Sequence, residues 1–123
     1  MSQRTDLVKE VVLNHGFLNC GISQSGFLET EAPRLDSWLQ NGYHGSMQWM
    51  ENHYDKRLDT RKLVEGSKSV ITMTYNYFPA ETQPEGKPKI AKYAYGEDYH
   101  FVLKDKMRSV IEKLQQQIGT FEA

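Results

Sequence analysis

The chain has 123 residues, 38% of them hydrophobic, and a formal net charge of −1. That composition can bury one modest core, and it provides no bulk electrostatic field to draw in nucleic acid or a membrane surface. The sole cysteine, Cys20, excludes an internal disulfide and any iron–sulfur cluster made by this chain alone.

No apolar run is long enough to span a bilayer, and the first ten residues lack the apolar core of a signal peptide. A reduced, cytoplasmic, soluble domain is expected. Thr5 or Asp6 can cap a first helix with Leu7, Val8, Val11 and Val12 on its apolar face, and Gly16 stops it. Residues 17–22 then read as a short buried strand and 23–27 as a turn. Pro33 suits the first turn of a second helix carrying Leu35, Trp38 and Leu39 and ended by Gly42. Residues 45–52 suggest a short helix with Met47 and Met50 on one side. Asp59 or Thr60 can cap one more turn before Gly66.

Residues 69–77, rich in Val, Ile, Thr and Tyr, form the clearest strand, with both faces expected to be at least half buried. Pro79, Pro84, Gly86 and Pro88 indicate a surface loop leading to a further strand over 89–95. The last helix is expected over 98–118, with Leu103, Met107, Val110, Ile111, Leu114 and Ile118 at helical spacing. Gly119 closes it. Residues 120–123 read as the start of another strand, so the ending looks like a cut through a larger fold. The expected class is a mixed α/β (α+β) fold, a small sheet flanked by helices.

Three clusters carry candidate chemistry. In the first, Tyr93 to His100, Asp98 sits at a helix N-cap and its carboxylate can accept from the N–H of His100 or Phe101. Tyr99 and His100 add a phenol and an imidazole to the same strand-to-helix junction. In the second, Met47, Trp49 and Met50 are either core or an adaptable face for a large flat ligand. In the third, Arg57 is a solvated charge by default. Its neighbours Lys56, Arg61 and Lys62 make a basic run that suits a phosphate or amide-rich ligand. Cys20 reads as a small buried hydrophobe. His15, His44, His53 and His100 show no metal spacing, and phosphate-loop and nucleophile-elbow motifs are absent.

The order of these pieces has a family likeness. Gly16-Phe17, Gly21-Ile22, Leu35, Trp38-Leu39, Gly42-Tyr43-His44-Gly45, Met47 and Trp49-Met50 are followed by Arg57, Leu63 and Ser67-Lys68-Ser69-Val70-Ile71. Asn76-Tyr77, Tyr93-Ala94, Gly96 and Asp98-Tyr99-His100 complete the series. In this order and spacing the chain resembles the N-terminal portion of epoxyqueuosine reductase over nearly its whole length. The Gly-x-Asp-Tyr-His element is the most specific part.

The resemblance implies a bacterial, cytoplasmic enzyme that reduces epoxyqueuosine in tRNA to queuosine. It further implies cobalamin and two [4Fe–4S] clusters as cofactors, in an enzyme that is monomeric when intact. The matched portion is the cobalamin-binding module, of nitroreductase-like architecture, so residues 1–123 are expected to be a single N-terminal domain truncated before the iron–sulfur domain. By position, Arg57 and Ala91 are implied as cobalamin contacts, and Asp98, Tyr99 and His100 as part of the same pocket wall. The family's cluster cysteines are absent here, and its proton-donating aspartate is expected beyond Ala123, so no catalytic acid is placed within the chain. Two other readings keep these residues: a stand-alone corrinoid-binding or corrinoid-handling protein, and a non-catalytic interaction module with a tyrosine-rich mouth for a partner.

Overall fold

The computed structural model describes residues 2–123 and divides into two compact units, Met1–Gly21 with Thr72–Ala123, and Ile22–Ile71. Two strands, β1 (Asn19–Gln24) and β2 (Ser69–Thr74), pair as an antiparallel ladder. The Leu18 N–H donates to the Thr74 carbonyl at the first unit's end, and the Ser25 N–H donates to the Lys68 carbonyl at the second unit's end.

In the first unit, α1 (Gln3–Asn14) packs against the long α4 (Tyr99–Ile118). Val8, Val11 and Val12 on α1, Val110 and Leu114 on α4, and Phe17 and Cys20 beside them are buried, which removes two amphipathic stripes from water at once. Burial pushes the Cys20 thiol up, as befits a core side chain rather than a nucleophile. Gly16 follows α1 with φ at +85°, a conformation that spares it a Cβ penalty. Lys106 of α4 donates to the His15 carbonyl at α1's end, at 3.3 Å. This places a cation at the negative pole of the helix.

In the second unit, α2 (Ala32–Gln40) begins with Pro33 in its first turn and is followed by Gly42 at φ +66°. The five-residue α3 (Tyr54–Leu58) leads into a 3-10 turn, Thr60–Lys62, capped by Asp59. The Ser25 hydroxyl joins this turn to the ladder, lying 2.6 Å from the Thr60 hydroxyl and 3.0 Å from that of Ser67. His44 is buried, its ring against Trp38 and its Nε2 2.9 Å from Glu51.

Several expectations are corrected. The first helix is capped three residues earlier in the chain than Thr5, by Ser2, whose hydroxyl accepts from the Thr5 N–H. Residues 45–52 form only a 3-10 turn, Gln48–Met50, because Met47 adopts a non-helical ψ of 64°. Met47 and Trp49 are exposed rather than core, Trp49 by 58%. β2 stops at Thr74, and of its residues only Val70 and Met73 are partly buried.

The strand expected over 89–95 is irregular chain with one 3-10 turn, Lys92–Ala94. A strand needs a neighbour to pair with. Here both backbone groups of Ile90 bond the Gln83 side-chain amide, at 2.7 Å each, in place of a partner strand. Residues 120–123 also lack strand structure.

Candidate functional site

The Tyr93–His100 junction of the first unit gathers three of the expected residues. Asp98 is the N-cap of α4, with Oδ1 accepting from the His100 backbone N–H at 2.9 Å. The same oxygen lies 2.8 Å from His100 Nδ1. An ionised carboxylate can only accept, so Nδ1 donates to it. The His100 backbone N–H and then its imidazole hold the Asp98 carboxyl below the usual aspartate range.

Tyr99 stacks on the His100 ring at 4.1 Å and meets Tyr93 edge-on at 6.1 Å. Tyr75, Tyr77, Tyr93, Tyr99 and Leu103 line a cleft of about 340 Å³. An adjoining hollow of about 290 Å³ adds Asn76, Phe78 and Lys92, with the Lys92 ammonium 3.6 Å from the Phe78 ring centre. Tyr77 and Tyr93 are exposed, and the phenols of the cleft have no hydrogen-bond partner among the described residues. Such a wall can stack on a flat ligand and donate to amide or carbonyl groups around its rim.

Ala91 precedes the Lys92–Ala94 turn, is exposed, and accepts from the Ala94 N–H through its carbonyl. A methyl side chain offers a ligand nothing but shape there. Tyr75, Tyr77 and Tyr93 line the cleft but were not among the residues expected to. The period-two pair Tyr75 and Tyr77, continuing β2's alternation, was their signal in the sequence.

Arg57 belongs to the second unit and is not a loose solvated charge. Its Nε donates to the Asn52 carbonyl at 3.0 Å and its Nη2 to the Trp49 carbonyl at 3.2 Å, so it clasps the turn before α3. With His53, Lys56 and Leu63 it lines a cleft of about 300 Å³. Among the described residues, no three His, Cys, Asp or Glu side chains come together to hold a metal ion. No helix of the described residues is long and apolar enough to cross a membrane.

A family model described as "Epoxyqueuosine reductase QueG, DUF1730" matches residues 57–123. The chain is 54% identical over 117 residues to the epoxyqueuosine reductase of Cellulophaga algicola, covering 95% of this chain and 38% of that protein. It is 51% identical over 121 residues to that of Cyclobacterium marinum, covering 97% and 39%. To that of Escherichia coli K12 it is 34% identical over 122 residues, covering 94% and 32%. The solved structure of epoxyqueuosine reductase from Streptococcus thermophilus superposes with a TM-score of 0.83 at 19% identity, over 99% of this chain and 34% of that one. The backbone arrangement is thus shared with that structure, and the chain spans well under half the length of the relatives it matches.

Proposed function

The chain belongs to the epoxyqueuosine reductase family, and from that premise we propose that residues 1–123 are its N-terminal, cobalamin-binding-type domain. The activity it serves is the cytoplasmic reduction of epoxyqueuosine to queuosine in tRNA, an oxidoreductase step. The two [4Fe–4S] clusters and the proton donor belong to parts of the enzyme outside this chain, and the intact enzyme acts as a monomer. The observation that carries this reading is the Asp98–Tyr99–His100 lock opening on a tyrosine-lined cleft, within the segment that the family model matches.

The donor set suits a corrinoid. A flat macrocycle with an amide rim needs aromatic walls and polar tips, and Tyr75, Tyr77, Tyr93 and Tyr99 offer both. When bound, cobalamin supplies a reducing cobalt centre for the epoxide. Asp98 holds the His100 imidazole in place through Nδ1, which leaves Nε2 as the ring nitrogen for a ligand. Tyr99 fixes the plane of that ring by stacking. Ala91 adds a small surface that lets a ligand approach the backbone. Within the second unit taken by itself, Arg57 offers a corrinoid a cation already positioned by two carbonyls.

Titrating the protein with cobalamin and following the corrinoid absorbance tests the reading. Saturable binding is expected, weakened about ten- to a hundredfold by Tyr99→Ala. Absence of a spectral change at millimolar cobalamin would sink the proposal.

A further inference from the structure

Residues 48–52 of the second unit form a turn with little to hold it. Of residues 47–52 only Met50 is even partly buried. The backbone ties are short-range, with Met50, Glu51 and Asn52 each donating to the residue three before it. Ties of that kind, closed within exposed backbone, open readily. Yet the carbonyls of Trp49 and Asn52 carry the Arg57 guanidinium, at 3.2 and 3.0 Å, so its direction depends on theirs. A side-chain contact ties this turn to a buried group. The Glu51 carboxylate lies 2.9 Å from His44 Nε2, which donates to it, and His44 is buried beside Trp38. The other ring nitrogen, Nδ1, is buried with no hydrogen-bond partner among the described residues. An apolar ring would fill that place beside Trp38 without an unpaired atom. What the imidazole adds over such a ring is the bond from Nε2.

We propose that His44 is a positioning residue: through Glu51 it fixes the Trp49 and Asn52 carbonyls and so aims the Arg57 guanidinium. Glu51 stands between those two residues along the chain, so restraining it restrains both carbonyls. Its side chain is exposed and, once released, would be free to change rotamer. Anchoring it on a buried ring lowers the ordering cost that a ligand would otherwise meet at Arg57. The benefit to a corrinoid rests on Arg57 being a corrinoid contact. The aim of Arg57 does not, because it is a property of the free protein.

The test follows the Arg57 Nε–H by NMR in the 123-residue chain, identified by its loss in Arg57→Lys, beside a cobalamin titration read by absorbance. His44→Phe keeps a ring beside Trp38 and removes the donor. Glu51→Ala removes the acceptor at an exposed position, where substitution threatens the fold little. In both variants, exchange of the Arg57 Nε–H with water is expected to quicken about tenfold. Cobalamin should bind about three- to tenfold more weakly. Glu51→Gln keeps an acceptor and is expected to restore both readings. Ser25→Ala, which removes the hydroxyl contacts to Thr60 and Ser67 elsewhere in the unit, should leave the Arg57 signal unchanged. An unmoved signal in Glu51→Ala overturns the inference, whatever His44→Phe does. So does a Glu51→Gln chain that behaves like Glu51→Ala, or an equal change in Ser25→Ala, which would mean general loosening. A quickened signal with cobalamin affinity unchanged overturns the positioning role. A quickened signal, restored by Glu51→Gln, in a chain that binds no cobalamin keeps this inference and rejects the corrinoid reading instead.

Discussion

Asp98 performs two tasks with one oxygen, capping α4 and orienting His100. Substitution separates them, because Asn caps about as well as Asp while removing the charge. Asp98→Asn is therefore expected to keep the melting temperature and lose cobalamin affinity, whereas Asp98→Ala should also lower the melting temperature by about 3–6 °C. Scanning calorimetry beside a cofactor titration checks both, and normal binding by Asp98→Asn would leave only the cap. Asp59 shows a second carboxylate used structurally. Its hydrogen bonds from Arg61, first from the guanidinium and then from the backbone, hold the carboxyl down at about 2. A depressed folded-state pKa stabilises the fold above the unfolded value and loses that contribution as protons bind. Denaturation midpoints are thus expected to fall as pH drops from about 4 to 2, and Asp59→Asn should flatten that part of the profile. Arg57 was open to a solvated-charge reading, and its two carbonyl partners lay too far along a turn for composition to reveal.

At the scale of elements, the first unit depends on α1 lying against α4. Leu114 of α4 is only 2% exposed, and Leu114→Ala is expected to cost about 2–5 kcal/mol, measured by chemical denaturation. An outcome under 1 kcal/mol would mean that the two helices close around the gap. The Gln83 amide does for Ile90 what a neighbouring strand would do. Gln83→Leu should accordingly speed hydrogen exchange at the Ile90 amide while leaving α4 protected. Unchanged exchange would show that other contacts hold the loop. The helices α1, α2 and α4 and their stops were legible in advance, since Pro33, Gly16, Gly42 and Gly119 act through local backbone preferences, whereas α3 was not foreseen. The segment 89–95 misled for the opposite reason: strand pairing depends on a partner that the segment itself cannot specify.

For the whole chain, cofactor content follows from residue inventory. Reconstituted anaerobically with iron and sulfide, it should develop no [4Fe–4S] absorbance, because one buried thiol cannot supply four ligands. Stoichiometric cluster uptake would contradict this. Exposed Tyr77, Phe78, Ile90 and Phe101 leave apolar surface around the first unit's cleft. Concentration-dependent sedimentation is the expected sign of it. The sequence by itself determined the mixed fold class, the long final helix with its Asp98 cap, the buried Cys20 and the family, since these rest on local spacing and on motifs kept in order. Only the tertiary structure decided which rings stand in the cleft, that Met47 and Trp49 face water, and that Arg57 is clasped by two carbonyls. Burial, pairing and charge balance are relations between residues far apart along the chain, and a local pattern holds no record of which neighbours folding will supply.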